Sequence, residues 1–188
     1  MNTPVTMRDR ILDAAERRIR GEGYNAVSFR DIATDVGVKS ASVHYHFPQK
    51  QDLGAALVRR YRDGFLAELQ HIAARPEERA KQFRAYLGLY RDALVLDKSI
   101  CLCAILGAES LGLPDGVKSE VRLFFQANID WLAETFAPWP AADGRISPAE
   151  IVSALEGAMI IAAVMGDGEI LDRTIARMQT GFDALGPG

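Results

Sequence analysis

Apolar residues recur along this chain at helical rather than strand spacing. Ile11, Leu12, Ala15 and Ile19 fall on one helical face. Thr6, with Asp9 three residues on, is a capping-box pair that opens this first helix, and Gly21 or Gly23 closes it. Ser28 and Asp31 repeat the capping pair. Phe29, Ile32, Ala33 and Val36 follow as a second stripe, and Gly37 comes next, the residue best able to take the left-handed conformation that ends a helix. Val38 returns the chain to the core, and another short helix is expected from residue 39 or 40 to residue 46. Small Ala33 and the glycine turn let these two helices cross closely, which is the geometry of a helix-turn-helix. The first helix braces the pair, with Tyr24, Phe29 and Phe47 as the core aromatics.

Beyond Pro48 the stripes lengthen. Leu53, Leu57, Tyr61, Phe65 and Leu69 fall every four residues and Ile72 continues them, predicting a helix from near Lys50 to residue 73 or 74, roughly 30 Å long at 1.5 Å per residue. Phe83, Leu87, Tyr90 and Leu94 make the next stripe, residues 100–111 a short apolar segment, and Val117, Val121, Phe124, Phe125, Asn128 and Leu132 another helix. Residues 138–148, rich in proline, read as a loop. Residues 148–165 are apolar on more than one face, and Gly157, Ala158, Ala162 and Ala163 are small enough for close approach. Leu171, Ile175, Met178 and Phe182 then form a coiled-coil-like seam. There is no strand alternation, internal repeat or low-complexity tract. The expected fold is all-α, with a three-helix helix-turn-helix DNA-binding module over residues 1–48 and a larger helical domain over residues 49–188. A helix apolar all round must be covered all round, so a homodimer through about residues 148–183 is expected, with an interior monomer helix as the alternative.

Composition narrows this further. With 48% hydrophobic and 25% charged residues, the chain reads as a soluble globular protein. The net charge of −3 excludes a uniformly basic coat, but its distribution is uneven: residues 1–50 carry 8 Lys/Arg against 6 Asp/Glu, and the remainder 14 against 19. Neutralisation of phosphates is therefore expected to be local to the N-terminal module. Two cysteines, Cys101 and Cys103, are too few and too close for a secreted disulfide framework. The first ten residues are polar, and the longest uninterrupted apolar run, residues 158–165, is short of the roughly twenty residues of a bilayer span. A cytoplasmic protein with no membrane partner is expected.

The short helix after the turn carries Lys39, Ser40, Ser42, His44, Tyr45 and His46, with Ala41 and Val43 adding little bulk. Donors near its N-terminal end suit base edges in a major groove, and Lys, Ser and Tyr suit phosphates. An ordinary helical hairpin with a polar face would look similar. Gly37-Val38, the run Val43-His44-Tyr45-His46-Phe47-Pro48 and Lys50-Gln51-Asp52-Leu53 resemble the recognition-helix signature of TetR-family transcriptional regulators, and residues 28–33 resemble the first helix of that motif. The resemblance covers about residues 7–57, with one departure, His44 where the family often has Tyr. It implies a dimer paired through C-terminal helices into a four-helix bundle, a ligand pocket in the C-terminal domain, and a long helix that carries the response to the DNA-reading module. Lys39, Ser42, His44 and Tyr45 are then expected at base edges, and Ser28, His46 and Lys50 at phosphates of a palindromic double-stranded operator. A C2 dimer would set the two recognition helices about 34–36 Å apart or somewhat further.

Chemistry elsewhere is sparse. Of three histidines, two lie in the recognition helix and His71 has no nucleophile at a recognisable spacing, so neither an enzyme nor a cofactor or metal is expected. Two residues apart on a helix, Cys101 and Cys103 point about 200° apart and cannot easily bond each other. They read either as small core hydrophobes or as a thiol or electrophile sensor. Tyr86, Tyr90, Cys103, Phe124, Asn128, Trp131 and Met159 are the tentative effector-binding set. Asn128 is its best polar anchor, because a buried amide needs a partner. The expected function is a ligand-responsive transcriptional regulator, most simply a repressor released by a small, largely apolar effector. The alternatives are the thiol sensor and a helical small-molecule-binding protein that no longer reads DNA.

Overall fold

The computed structural model describes residues 5–96, 98–137 and 146–184. The fold is all-α: nine helices and no strand are present among the described residues. They are α1 (Met7–Glu22), α2 (Phe29–Val36), α3 (Ser40–His46), α4 (Lys50–Ala73), α5 (Arg79–Val95), α6 (Leu102–Ala108), α7 (Asp115–Thr135), α8 (Pro148–Met165) and α9 (Glu169–Asp183). Residues 138–145 of the expected loop lie outside the described residues.

The local signals act as physics requires. Thr6 with Asp9, Ser28 with Asp31 and Ser147 with Glu150 each close a reciprocal capping box at the start of α1, α2 and α8. Gly37 ends α2 at φ 75°, ψ 37°, where only a residue without a Cβ rests without strain. The apolar segment expected over residues 100–111 is helical only over Leu102–Ala108, so Cys101 precedes the helix rather than sharing it with Cys103. Lys98, at φ 48°, turns the backbone left-handed shortly before.

The described residues up to 63 and those from 102 to 124 form one compact unit, and the described residues of 64–101 and from 125 onward another. In the first, Ile11, Leu12, Ile19, Ile32, Val43, Phe47, Leu53 and Leu57 make the core. Arginines on α1 and α4 brace it. Arg10 donates to the Val36 carbonyl at 2.8 Å, Arg18 grips Asp35 at 2.6 and 2.9 Å, and Arg60 reaches Asp13 at 2.7 Å and Glu16 at 3.1 Å. Arg59 and Arg62 of α4 share Glu120 of α7. The Glu109 carboxylate after α6 accepts the Tyr24 N–H with both oxygens at 3.1 Å. Gly23 permits that approach, since a Cβ there would lie 2.5 Å from Glu109 Oε1.

Gly54, mid-α4 and buried, is a costly residue in a helix interior but a necessary one here. A Cβ at this position would sit 2.7 Å from Cε2 of the Tyr24 ring and 2.9 Å from a Val117 methyl. Gly54→Ala should therefore destabilise by about 1–3 kcal/mol despite alanine's better helix propensity. Urea denaturation reads this directly, and a stabilised variant would refute the close approach.

The second unit is built around aromatic rings. Phe83 stacks on Phe182 at 4.3 Å and meets Phe136 edge-on at 5.4 Å, and Trp131 stacks on Tyr86 at 5.6 Å. Leu171 and Met178 are buried, so with Phe182 the α9 seam serves packing within the protomer. Arg91 of α5 pairs with Asp172 of α9 at 2.8 Å. Apolar surface is left open at the end of α8, where Ile161, Val164 and Met165 are 54, 81 and 68% exposed, and at Leu96 after α5. By length and composition α8 would suffice to cross a membrane, which the count of its uninterrupted apolar run did not reveal.

Candidate functional site

In α3 only Val43 is buried, and it pins the helix to the core. Lys39, the N-cap residue, and Ala41, His44 and Tyr45 are exposed, while Ser40, Ser42 and His46 are half-buried. Tyr45 is 84% exposed, its ring flanked edge-on by His46. His44 leans its ring edge on Phe29 at 4.7 Å and brings Nδ1 to 3.4 Å from the Pro48 carbonyl, which orients it along the helix surface. Ala41 lies one turn before Tyr45 on the same face. It leaves an exposed methyl group beside Tyr45, which sequence reasoning passed over because small residues look like spacers.

The flanking residues are less free. Ser28 is consumed as an N-cap, its oxygen taken by Asp31 N–H and its own O–H given to the Asp31 carboxylate. Lys50 donates to the Asn25 carbonyl at 3.2 Å and lies 4.6 Å over the Tyr24 ring. Partial burial holds its ammonium below the usual lysine range. Two of its three donors remain for another acceptor.

The second unit holds a buried polar cluster. Tyr86 donates to Asn128 Oδ1 at 3.1 Å, the Asn128 amide donates to the Tyr90 hydroxyl at 2.8 Å, and the two hydroxyls lie 3.3 Å apart. Asn128 is fully buried, so the ring of bonds meets its need for partners from within the chain. Burial is the largest cause pushing both phenols above their ordinary range, so both remain protonated. Met159 accepts the Cys101 N–H through Sδ at 3.2 Å. Of the seven tentative effector residues, Tyr86, Tyr90, Asn128, Trp131 and Met159 belong to this unit. Cys103 and Phe124 belong to the other, where Phe124 packs on Tyr61 at 5.4 Å.

Sequence reasoning missed Glu156. Only 7% exposed on α8, it has no hydrogen-bond partner on either carboxyl oxygen among the described residues. Desolvation pushes it up to about 10, with the neighbouring Cys101 thiol acting in the same direction. No signal in the sequence marked it, because a Glu on a helix usually points to solvent.

A helix-turn-helix with an open second helix, on an all-helical body, defines a DNA-binding transcriptional regulator. Residues 11–57 match the family described as bacterial regulatory proteins, tetR family. A TetR transcriptional regulator from Legionella pneumophila superposes with a TM-score of 0.83 at 31% identity, covering 96% of this chain and 98% of that one. A TetR-family regulator from Agrobacterium tumefaciens gives 0.82 at 31%, covering 92% and 95%. The HTH-type transcriptional repressor KstR2 of Mycolicibacterium smegmatis is 30% identical over 69 residues, 37% of this chain. That match spans about a third of the relative's length, at 34%. The chain belongs to the TetR family of transcriptional regulators.

Proposed function

We propose that the protein is a homodimeric repressor that binds a palindromic operator and is released by a small effector taken up in its C-terminal domain. The observation that carries the reading is α3, held by one buried residue and otherwise turned outward with Tyr45 almost wholly uncovered. Residues 1–48 carry the DNA-reading role and residues 49–188 the effector and dimer roles. Lys39, Ser40, Ser42, His44 and Tyr45 meet base edges or the groove, while His46 and Lys50 stand at phosphates; Ser28, spent as the α2 cap, holds the start of that helix instead. The exposed apolar end of α8 is the surface a second copy covers. By linkage the effector must bind the DNA-free arrangement more tightly than the DNA-bound one. Both thiols are buried and Cys101 neighbours a carboxyl group, the reverse of the electropositive, accessible setting that makes a cysteine reactive, so the effector reading is preferred to thiol sensing.

Selection of binding sites from random duplex DNA tests the reading. A recovered palindrome supports it, and no enrichment by folded, dimeric protein refutes it. On the selected site, Lys50→Ala should weaken all sequences alike and flatten the salt slope by about one unit. Lys39→Ala or Tyr45→Ala should instead change the preferred bases, at about 1–3 kcal/mol for each contacted pair.

A further inference from the structure

Within the C-terminal unit Glu156 stands apart from every other carboxylate that is given partners. It is 7% exposed, both its oxygens lack a donor among the described residues, and no basic side chain contributes to its electrostatics. A carboxyl group offers several acceptor positions, and leaving all of them without a donor in a buried site is expensive. The polar groups near enough to feel its charge are Cys101, Tyr86 and Tyr90. The two phenols already spend their donors on Asn128 and on each other, and a thiol is a weak donor. What the site lacks is a cation with N–H groups. What it already has is aromatic surface, since Tyr86 stacks on Trp131 and meets Tyr90 edge-to-face at 5.7 Å. Aromatic faces attract an ammonium as a carboxylate does, and both attractions grow when water is excluded.

We propose that the cluster of Glu156, Tyr86, Tyr90 and Asn128 takes an amphiphilic ammonium ligand, an aromatic or aliphatic primary amine whose protonated nitrogen pairs with Glu156. The inference rests on the effector reading above and narrows its chemistry from an apolar molecule to one with a single positive charge. Binding is coupled to a proton: the amine arrives charged, the Glu156 carboxyl loses its proton to buffer, and a charge-assisted N–H to carboxylate bond replaces an unpartnered neutral group. An uncharged molecule of the same shape has no such exchange to make.

The test is calorimetric titration of the full-length protein at pH 7.5 with 2-phenylethylammonium, 3-phenylpropylammonium and 4-phenylbutylammonium, against the matching phenylalkyl alcohols. At least one amine is expected to bind tenfold or more tightly than its alcohol. Titrations in buffers of different ionisation enthalpy should show about one proton released per amine bound. Glu156→Gln, which keeps the shape and removes the charge, should erase both the preference and the proton release. Equal binding of amine and alcohol, absence of proton release, or an unchanged preference in Glu156→Gln overturns the proposal, as does failure of all three amines to bind. The effector reading is judged separately, by operator affinity in the presence of the bound amine. Glu156-dependent binding without loss of DNA affinity leaves the amine site standing and removes its regulatory role. An uncharged molecule that releases DNA while no amine binds does the opposite.

Discussion

Phe83→Ala should cost about 3–5 kcal/mol, the range for removing a large aromatic side chain from a packed core. Phe83 is 1% exposed on α5 and joins three elements: Phe182 of α9 by stacking at 4.3 Å, Phe136 after α7 at 5.4 Å, and Tyr86 one turn on at 6.2 Å. Truncation removes all three ring contacts and leaves a void that rigid neighbours only partly fill. Urea denaturation of the variant measures the loss. A double-mutant cycle with Phe182→Ala should give a coupling of about 0.5–1.5 kcal/mol for the stack. A total cost under about 1.5 kcal/mol would mean that α9 is not held through this ring.

Glu156→Gln should make the protein more stable, by a margin that widens as pH rises. An acid whose folded value stands at about 10 against an ordinary 4.5 keeps its proton in the native state and releases it on unfolding throughout that window. The unfolded state binds fewer protons there, so stability is full at or below about pH 4.5 and is lost progressively up to about pH 10. Cys101, Tyr86 and Tyr90 are the ionisable groups that interact with Glu156, and burial holds both phenols in the neutral form. At an order of 1 kcal/mol per pH unit the glutamine variant should gain about 2 kcal/mol on the wild type between pH 6 and pH 8, roughly 4–8 °C in Tm. Thermal melts across this range decide it. Parallel pH profiles for the two proteins would show that Glu156 ionises freely in the folded state.

The N-terminal module was legible almost residue by residue because its determinants are local. Thr6 with Asp9, Ser28 with Asp31 and Gly37 each satisfy or release backbone groups within a turn of themselves, so pattern and structure coincide. The exposure of His44 and Tyr45 on α3 also followed from its composition, since apolar Val43 is the helix's one buried position. The arginines of α1 show where local reading stops. Arg10 and Arg18 look like a solvated face in sequence, yet each finds a partner on α2, at the Val36 carbonyl and the Asp35 carboxylate. A long cationic side chain gives no hint of which carboxylate lies within reach until the helices cross.

By itself, the sequence determined the helical class, the start and stop of the capped helices, and the helix-turn-helix. All of these depend on side chains within about four residues of one another. The tertiary structure alone decided which face of α9 packs inward, why Gly54 must lack a side chain, that Asn128 is answered by Tyr86 and Tyr90, and that the Glu156 oxygens are buried without a hydrogen-bond partner among the described residues. The reason is physical. Periodicity records that a residue is buried, but the partner of a buried polar group is supplied from far along the chain. Tyr86 and Asn128 are 42 residues apart, and their hydrogen bond exists only once α5 and α7 have packed.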